Sequence, residues 1–158
     1  MRTTKSQYDD AMDVAAFDEA LARHDAGELG NAIRLLERLA ARQPNRPAFV
    51  GMLASVQYEH GDYQKSAANA RRAVALSPRC QMASVTLFQS LYHLGDHEGA
   101  FREIARFRAI RHSAEYERTL PTIEASALRK LQTRPLDSDQ RRLLEIVRAE
   151  LEERPLKH

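Results

Sequence analysis

Apolar residues along the chain recur at three- and four-residue steps, and no stretch alternates as a half-buried strand would. Leu53, Val56 and Gln57, then Leu87, Leu91 and Tyr92, follow this spacing, as do Ala67, Ala70 and Val74. The pattern predicts helices throughout. It also repeats over a longer interval, because Gly27, Gly61 and Gly95 stand 34 residues apart. At average glycine usage, two further glycines in step with the first would occur by chance roughly once in 200 trials. Small residues keep the same step at Ala32, Ser66 and Ala100, and apolar ones at Leu36, Ala70 and Ile104 and at Leu39, Ala73 and Phe107. Pro44 and Pro78 repeat the interval, with His112 at the third place.

Each interval reads as two helices of about 12 to 15 residues, with the glycine ending the first in a left-handed conformation that a residue without a β-carbon adopts at little cost. Asp62 and Asp96 follow two of these glycines, where a carboxylate can accept the free amides that open the second helix. Pro78 marks where such a helix stops. Ala32, Ser66 and Ala100 fall where paired helices approach closely, so bulk there should be costly. Beyond residue 114 the interval fades, yet Tyr116, Leu120, Ile123, Ala127 and Leu131 continue an apolar stripe, in which Pro121 should start or kink a helix. TRPLDSDQ then breaks the chain. Asp137 with Gln140 forms a capping-box pattern ahead of a final helix with Leu143, Leu144, Val147 and Leu151 on one face.

The residues Gly61, Asp62 and Tyr63, Ala67 and Ala70 around Ser66, then Ala73 and the run Leu76, Ser77, Pro78 resemble a tetratricopeptide repeat. The resemblance covers units 13–46, 47–80 and 81–114, with 1–12 as a flexible lead-in and 115–158 as two helices capping the stack. It implies an all-α fold, a right-handed stack of three helical hairpins plus two C-terminal helices. Departures are Ala16, Val50 and Ser84, where an early aromatic is usual, and Glu28 and Leu29 in the first unit. In proteins of this kind the first helices line a concave groove. The matching positions are Val14, Phe17, Leu21 and His24, then Ala48, Gly51, Ser55 and Tyr58, then Met82, Val85, Gln89 and Tyr92. This apolar lining would suit a linear segment of another protein. Gly51 in mid-helix, about 1 kcal/mol less favourable than alanine, would be explained by close approach of another backbone. The clamp that some such proteins use for the C-terminal carboxylate of heat-shock chaperones has no match, since Phe17, Leu21, Met52, Met82 and Thr86 occupy its positions. The stretch EYERTLPTIEASALRKL is similar to small chaperones of type III secretion translocators.

Composition narrows the chemistry. The chain has 158 residues, 43% hydrophobic and 29% charged, which suits one folded domain of ordinary size. With 24 Lys and Arg against 22 Asp and Glu, a net charge of +2 demands neither nucleic acid nor lipid. No run reaches the length of a membrane span, the N-terminal residues lack the apolar core of a secretory signal, and cytoplasmic placement is expected. Cys80 alone cannot form an internal disulfide. His93 and His97 have metal-ligand spacing, but Gly95 between them ends a helix and no third ligand is near, so no metal or other cofactor is expected. No nucleophile elbow, phosphate loop or carboxylate pair appears, which predicts a non-enzymatic protein. Arg71, Arg72, Arg102, Arg106, Arg108 and Arg111 read as a solvated basic surface without the interleaved aromatics that stack on nucleic acid. Two functions follow: an adaptor or chaperone holding a partner's peptide segment, or a self-associating scaffold, homodimer or larger assembly, with no client.

Overall fold

The computed structural model describes residues 3–157, and side chains from Gln7 onward except that of Tyr8. Eight helices account for the regular structure among them: α1 (Thr3–Asp25), α2 (Leu29–Arg42), α3 (Pro47–Glu59), α4 (Tyr63–Leu76), α5 (Gln81–His93), α6 (His97–Ile110), α7 (Ala114–Thr133) and α8 (Ser138–Glu153). The expected all-helical architecture is therefore the observed one. They divide into two compact units, Met1–Thr86 and Leu87–His158, with the boundary inside α5.

In the first unit α1 pairs with α2, α2 packs on α3, and α3 pairs with α4. The three glycines of the 34-residue interval all take positive φ, +79° at Gly27, +88° at Gly61 and +81° at Gly95. A β-carbon disfavours that conformation, which is why glycine recurs at the hairpin turns. Asp62 then accepts from the Lys65 amide and Asp96 from the Gly99 amide, opening α4 and α6. Ser66 is fully buried and its hydroxyl donates to the Ala54 carbonyl at 2.7 Å. Ala32 and Ala100 are equally enclosed.

The core of the first unit gathers Leu36, Leu39, Phe49, Val50, Leu53 and Val56. Aromatic volume comes from Phe49, one residue before the position where Val50 replaces the usual aromatic. Its ring meets Phe17 at 5.2 Å, and the Arg46 guanidinium lies 4.6 Å above it. Residues 3–12, expected as a lead-in, continue α1 in the structure. Asp10 accepts from Arg46 and the buried Asp13 from Gln43, tying this part of α1 to the turn between α2 and α3.

In the second unit Phe88 on α5 meets Phe101 on α6 and Tyr116 on α7 edge to face, and Phe107 meets Tyr116 in the same manner. Helix α7 continues through Pro121, so the proline neither starts nor ends it. Helix α8 opens with the complete capping box of Asp137 and Gln140 and packs on α6 and α7. Of the α7 stripe, Tyr116, Leu120 and Ala127 are buried, whereas Leu131 is exposed. The segment 115–131 therefore supplies core side chains to this unit.

Candidate functional site

Val14, Phe17, Leu21 and His24 follow one another at three- and four-residue steps and so share one face of α1, as Ala48, Gly51, Ser55 and Tyr58 do on α3. Two contacts join these helices. Phe17, two turns before the end of α1, packs on Phe49 in the first turn of α3, and His24 hydrogen-bonds Glu59 at 2.8 Å near the last turns of both helices. The helices thus run side by side in the same sense. Met82, in the first turn of α5, reaches α3 with its Cε beside Gly51. Val14 is 43% exposed and Met82 46%, while Phe17, Leu21, Ser55, Tyr58 and Val85 are half-buried. These faces of α1, α3 and the start of α5 carry a partly exposed, largely apolar strip that is interrupted where Met82 covers buried Gly51.

The end of this strip formed by the last turns is polar. His24 Nε2 faces both oxygens of Glu59, and its Nδ1 lies 3.4 Å from Asp25. The hydrogen bond to Glu59 raises the imidazole pKa, burial opposes it, and Asp25 adds to the rise. Tyr58 packs its ring 5.5 Å from Tyr63, and burial raises its phenol pKa, with Tyr63 adding to it.

Gly51 requires a correction. It is buried, and a β-carbon there would sit at 3.7 Å from Met82 and 3.8 Å from Ala73, both side chains of its own unit. The missing side chain therefore leaves no opening for a foreign backbone. Gln89 and Tyr92 belong to the second unit, where the Tyr92 ring packs on Phe88, Phe101 and His97.

Of the arginines expected on a solvated surface, Arg71, Arg72, Arg102 and Arg111 are exposed, whereas Arg106 and Arg108 on α6 are engaged by carboxylates and partly or wholly enclosed. Arg106 is bound by the buried Glu103. Arg108 is only 4% exposed and donates to Glu150 at 2.8 Å, to Glu117 at 3.3 Å and to the Arg154 carbonyl at 2.6 Å. This cluster joins α6, α7 and α8. Its signal lay in the sequence, since Arg108 falls in phase with Ala100 and Ile104, and Glu150 three residues after Val147. His93 is exposed at the end of α5, whereas His97 opens α6 against Tyr92. Among the described residues no three His, Cys, Asp or Glu side chains converge as metal ligands. Cys80 is half-buried against the first unit's core. No helix of the described residues is long and apolar enough to cross a membrane.

A family model of the tetratricopeptide repeat matches residues 17–79 and again 52–111. Among solved structures, the Sgt2 TPR domain from Aspergillus fumigatus has a similar fold, with a TM-score of 0.58 at 20% identity, covering 90% of this chain and 80% of that one. No curated protein matches the chain. The family matches together span more than half of the 158 residues, so the chain belongs to the tetratricopeptide repeat family.

Proposed function

We propose that this chain is a protein-interaction module that holds a linear, apolar segment of a partner on the strip of its first unit. The observation that carries this reading is the exposure of Val14 and Met82, two large apolar side chains nearly half exposed on helix faces that also carry half-buried Phe17, Leu21 and Val85. Burying an apolar side chain of this size contributes about 1.5–3 kcal/mol before ordering costs, so several anchors are needed for useful affinity. Masking such a segment would keep a partner from aggregating until release, which is the work of a chaperone or adaptor.

The test is selection from a random peptide display library by the full chain and by its Val14→Asp and Met82→Glu variants. Both positions are exposed enough that these changes should leave helical content and melting nearly unaltered. The wild-type chain should enrich peptides with spaced apolar anchors, and either variant should lose them. Equal enrichment by folded variants would remove the strip as the binding surface.

A further inference from the structure

Resting on that reading, we infer that the segment held by the strip is amphipathic and basic: its apolar side chains sit over Val14, Phe17 and Met82, and a flanking Lys or Arg faces Asp25 and Glu59. On α1 the strip runs from Val14 to Asp25 and on α3 from Ala48 to Glu59. Each run covers about 16 Å at the helical rise per residue, while a helix with its side chains is about 10–12 Å across. A helical segment laid across the two helices therefore meets the apolar half with one flank and the acidic end with the other.

The charge at that end is one-sided. Asp25 closes α1 and Glu59 closes α3, and the carbonyl-rich C-terminus of each helix adds partial negative charge. Nearby, Arg23 is held by Glu19 and Glu28. His24 bridges the two carboxylates, so even with this imidazole protonated the trio is net negative. Asp18, exposed between Val14 and Leu21, adds a further negative charge to the edge of the strip.

Three fluorescein-labelled amphipathic peptides, each about 16 residues so that helix can form, would share one Leu and Ile stripe and differ only in carrying Lys, Gln or Glu along one flank. Fluorescence anisotropy with the full chain should rank them Lys, Gln, Glu, with Lys about fivefold to tenfold tighter than Glu. Raising salt from about 0.05 M to about 0.5 M should shrink that gap below about twofold, since screening acts on the charges and not on the stripe. Asp25→Asn with Glu59→Gln should bring the three peptides within about twofold of one another while the Gln peptide keeps its affinity. Asp25→Asn alone, at an exposed side chain, should reduce the Lys preference without touching the fold.

Binding of all three peptides at equal affinity, lost in Met82→Glu, would overturn the charge preference and leave the apolar strip standing. No binding by any of them, or binding indifferent to Met82→Glu, would remove the strip itself. A wild-type dimer in sedimentation that Met82→Glu dissociates would put a second copy of the chain in the segment's place.

Discussion

Arg108 on α6 donates to Glu150 on α8 at 2.8 Å, across 42 residues of sequence, with side chains 4% and 5% exposed. The same guanidinium reaches Glu117 on α7 and the backbone carbonyl of Arg154 just past α8. A planar group with five N–H donors can serve three partners at once, which a lysine ammonium on one stem cannot do with the same geometry. Arg108→Ala leaves half-buried Glu117 without this counter-ion and buried Glu150 with Arg154 alone, and should cost about 2–4 kcal/mol. Arg108→Lys should recover only part of this. Chemical denaturation followed by circular dichroism measures both, and a loss below about 1 kcal/mol for Arg108→Ala would contradict the role.

The His24–Glu59 pair gives stability a pH dependence whose sign is fixed. Its imidazole pKa is raised in the folded chain, chiefly by the hydrogen bond to Glu59. The folded state therefore binds the proton more tightly, and the contribution is fully present below about pH 6.5, the unfolded value. It disappears as pH rises through the higher folded value. The melting temperature should fall between about pH 6 and pH 8 by more in the wild-type chain than in His24→Asn. In an NMR titration the His24 ring should turn over above the ordinary histidine value and move down in Glu59→Gln. A ring titrating at or below that value would exclude the pairing in solution.

Much of this fold was legible because the features that define it are local. A glycine at positive φ, an aspartate accepting the amide three residues on, and a small residue at the helix crossing each leave a one-residue mark, and the 34-residue interval multiplies it. The capping box at Asp137 was readable for the same reason. What escaped depends on partners distant in sequence. Arg108 looked like one more exposed arginine because Glu117 and Glu150 lie on other helices, although its register with Ile104 placed it on the inward face. Gly51 looked like an opening because nothing in the chain's linear order says that Met82 and Ala73 fill the space above it. The strip was legible as helix faces, while the acidic corner needed the contact between His24 and Glu59.

Two glycines should respond in opposite directions to the same substitution. At Gly61 φ is +88°, so Gly61→Ala forces a β-carbon into the left-handed region and should cost about 1–2 kcal/mol. Gly51 is helical, and a β-carbon there meets Met82 and Ala73 at ordinary van der Waals distance. Gly51→Ala should therefore stabilise the chain by about 0.5–1 kcal/mol through backbone entropy. Urea denaturation of the two variants separates the cases. Destabilisation by Gly51→Ala would mean that the space is tighter than the distances indicate.

Ser66 sits fully buried where α4 crosses α3, with its hydroxyl on the Ala54 carbonyl and Ala54 itself fully enclosed. Two different substitutions divide its roles. Ser66→Ala keeps the volume small and removes one neutral hydrogen bond, a loss of about 1 kcal/mol. Ser66→Leu forces a branched side chain into a fully buried helix crossing and should cost about 2–3 kcal/mol or more, because the packed helices must shift to admit it. The ratio of the two losses, read from denaturation midpoints with unchanged slopes, tells close approach from hydrogen bonding as the reason for a small residue at this place in the interval. Ala32→Leu, at the equivalent fully buried position of the first hairpin where no hydroxyl exists, should cost as much as Ser66→Leu. If both leucine variants melted near the wild-type temperature, the small residues that repeat every 34 positions would owe nothing to helix crossing.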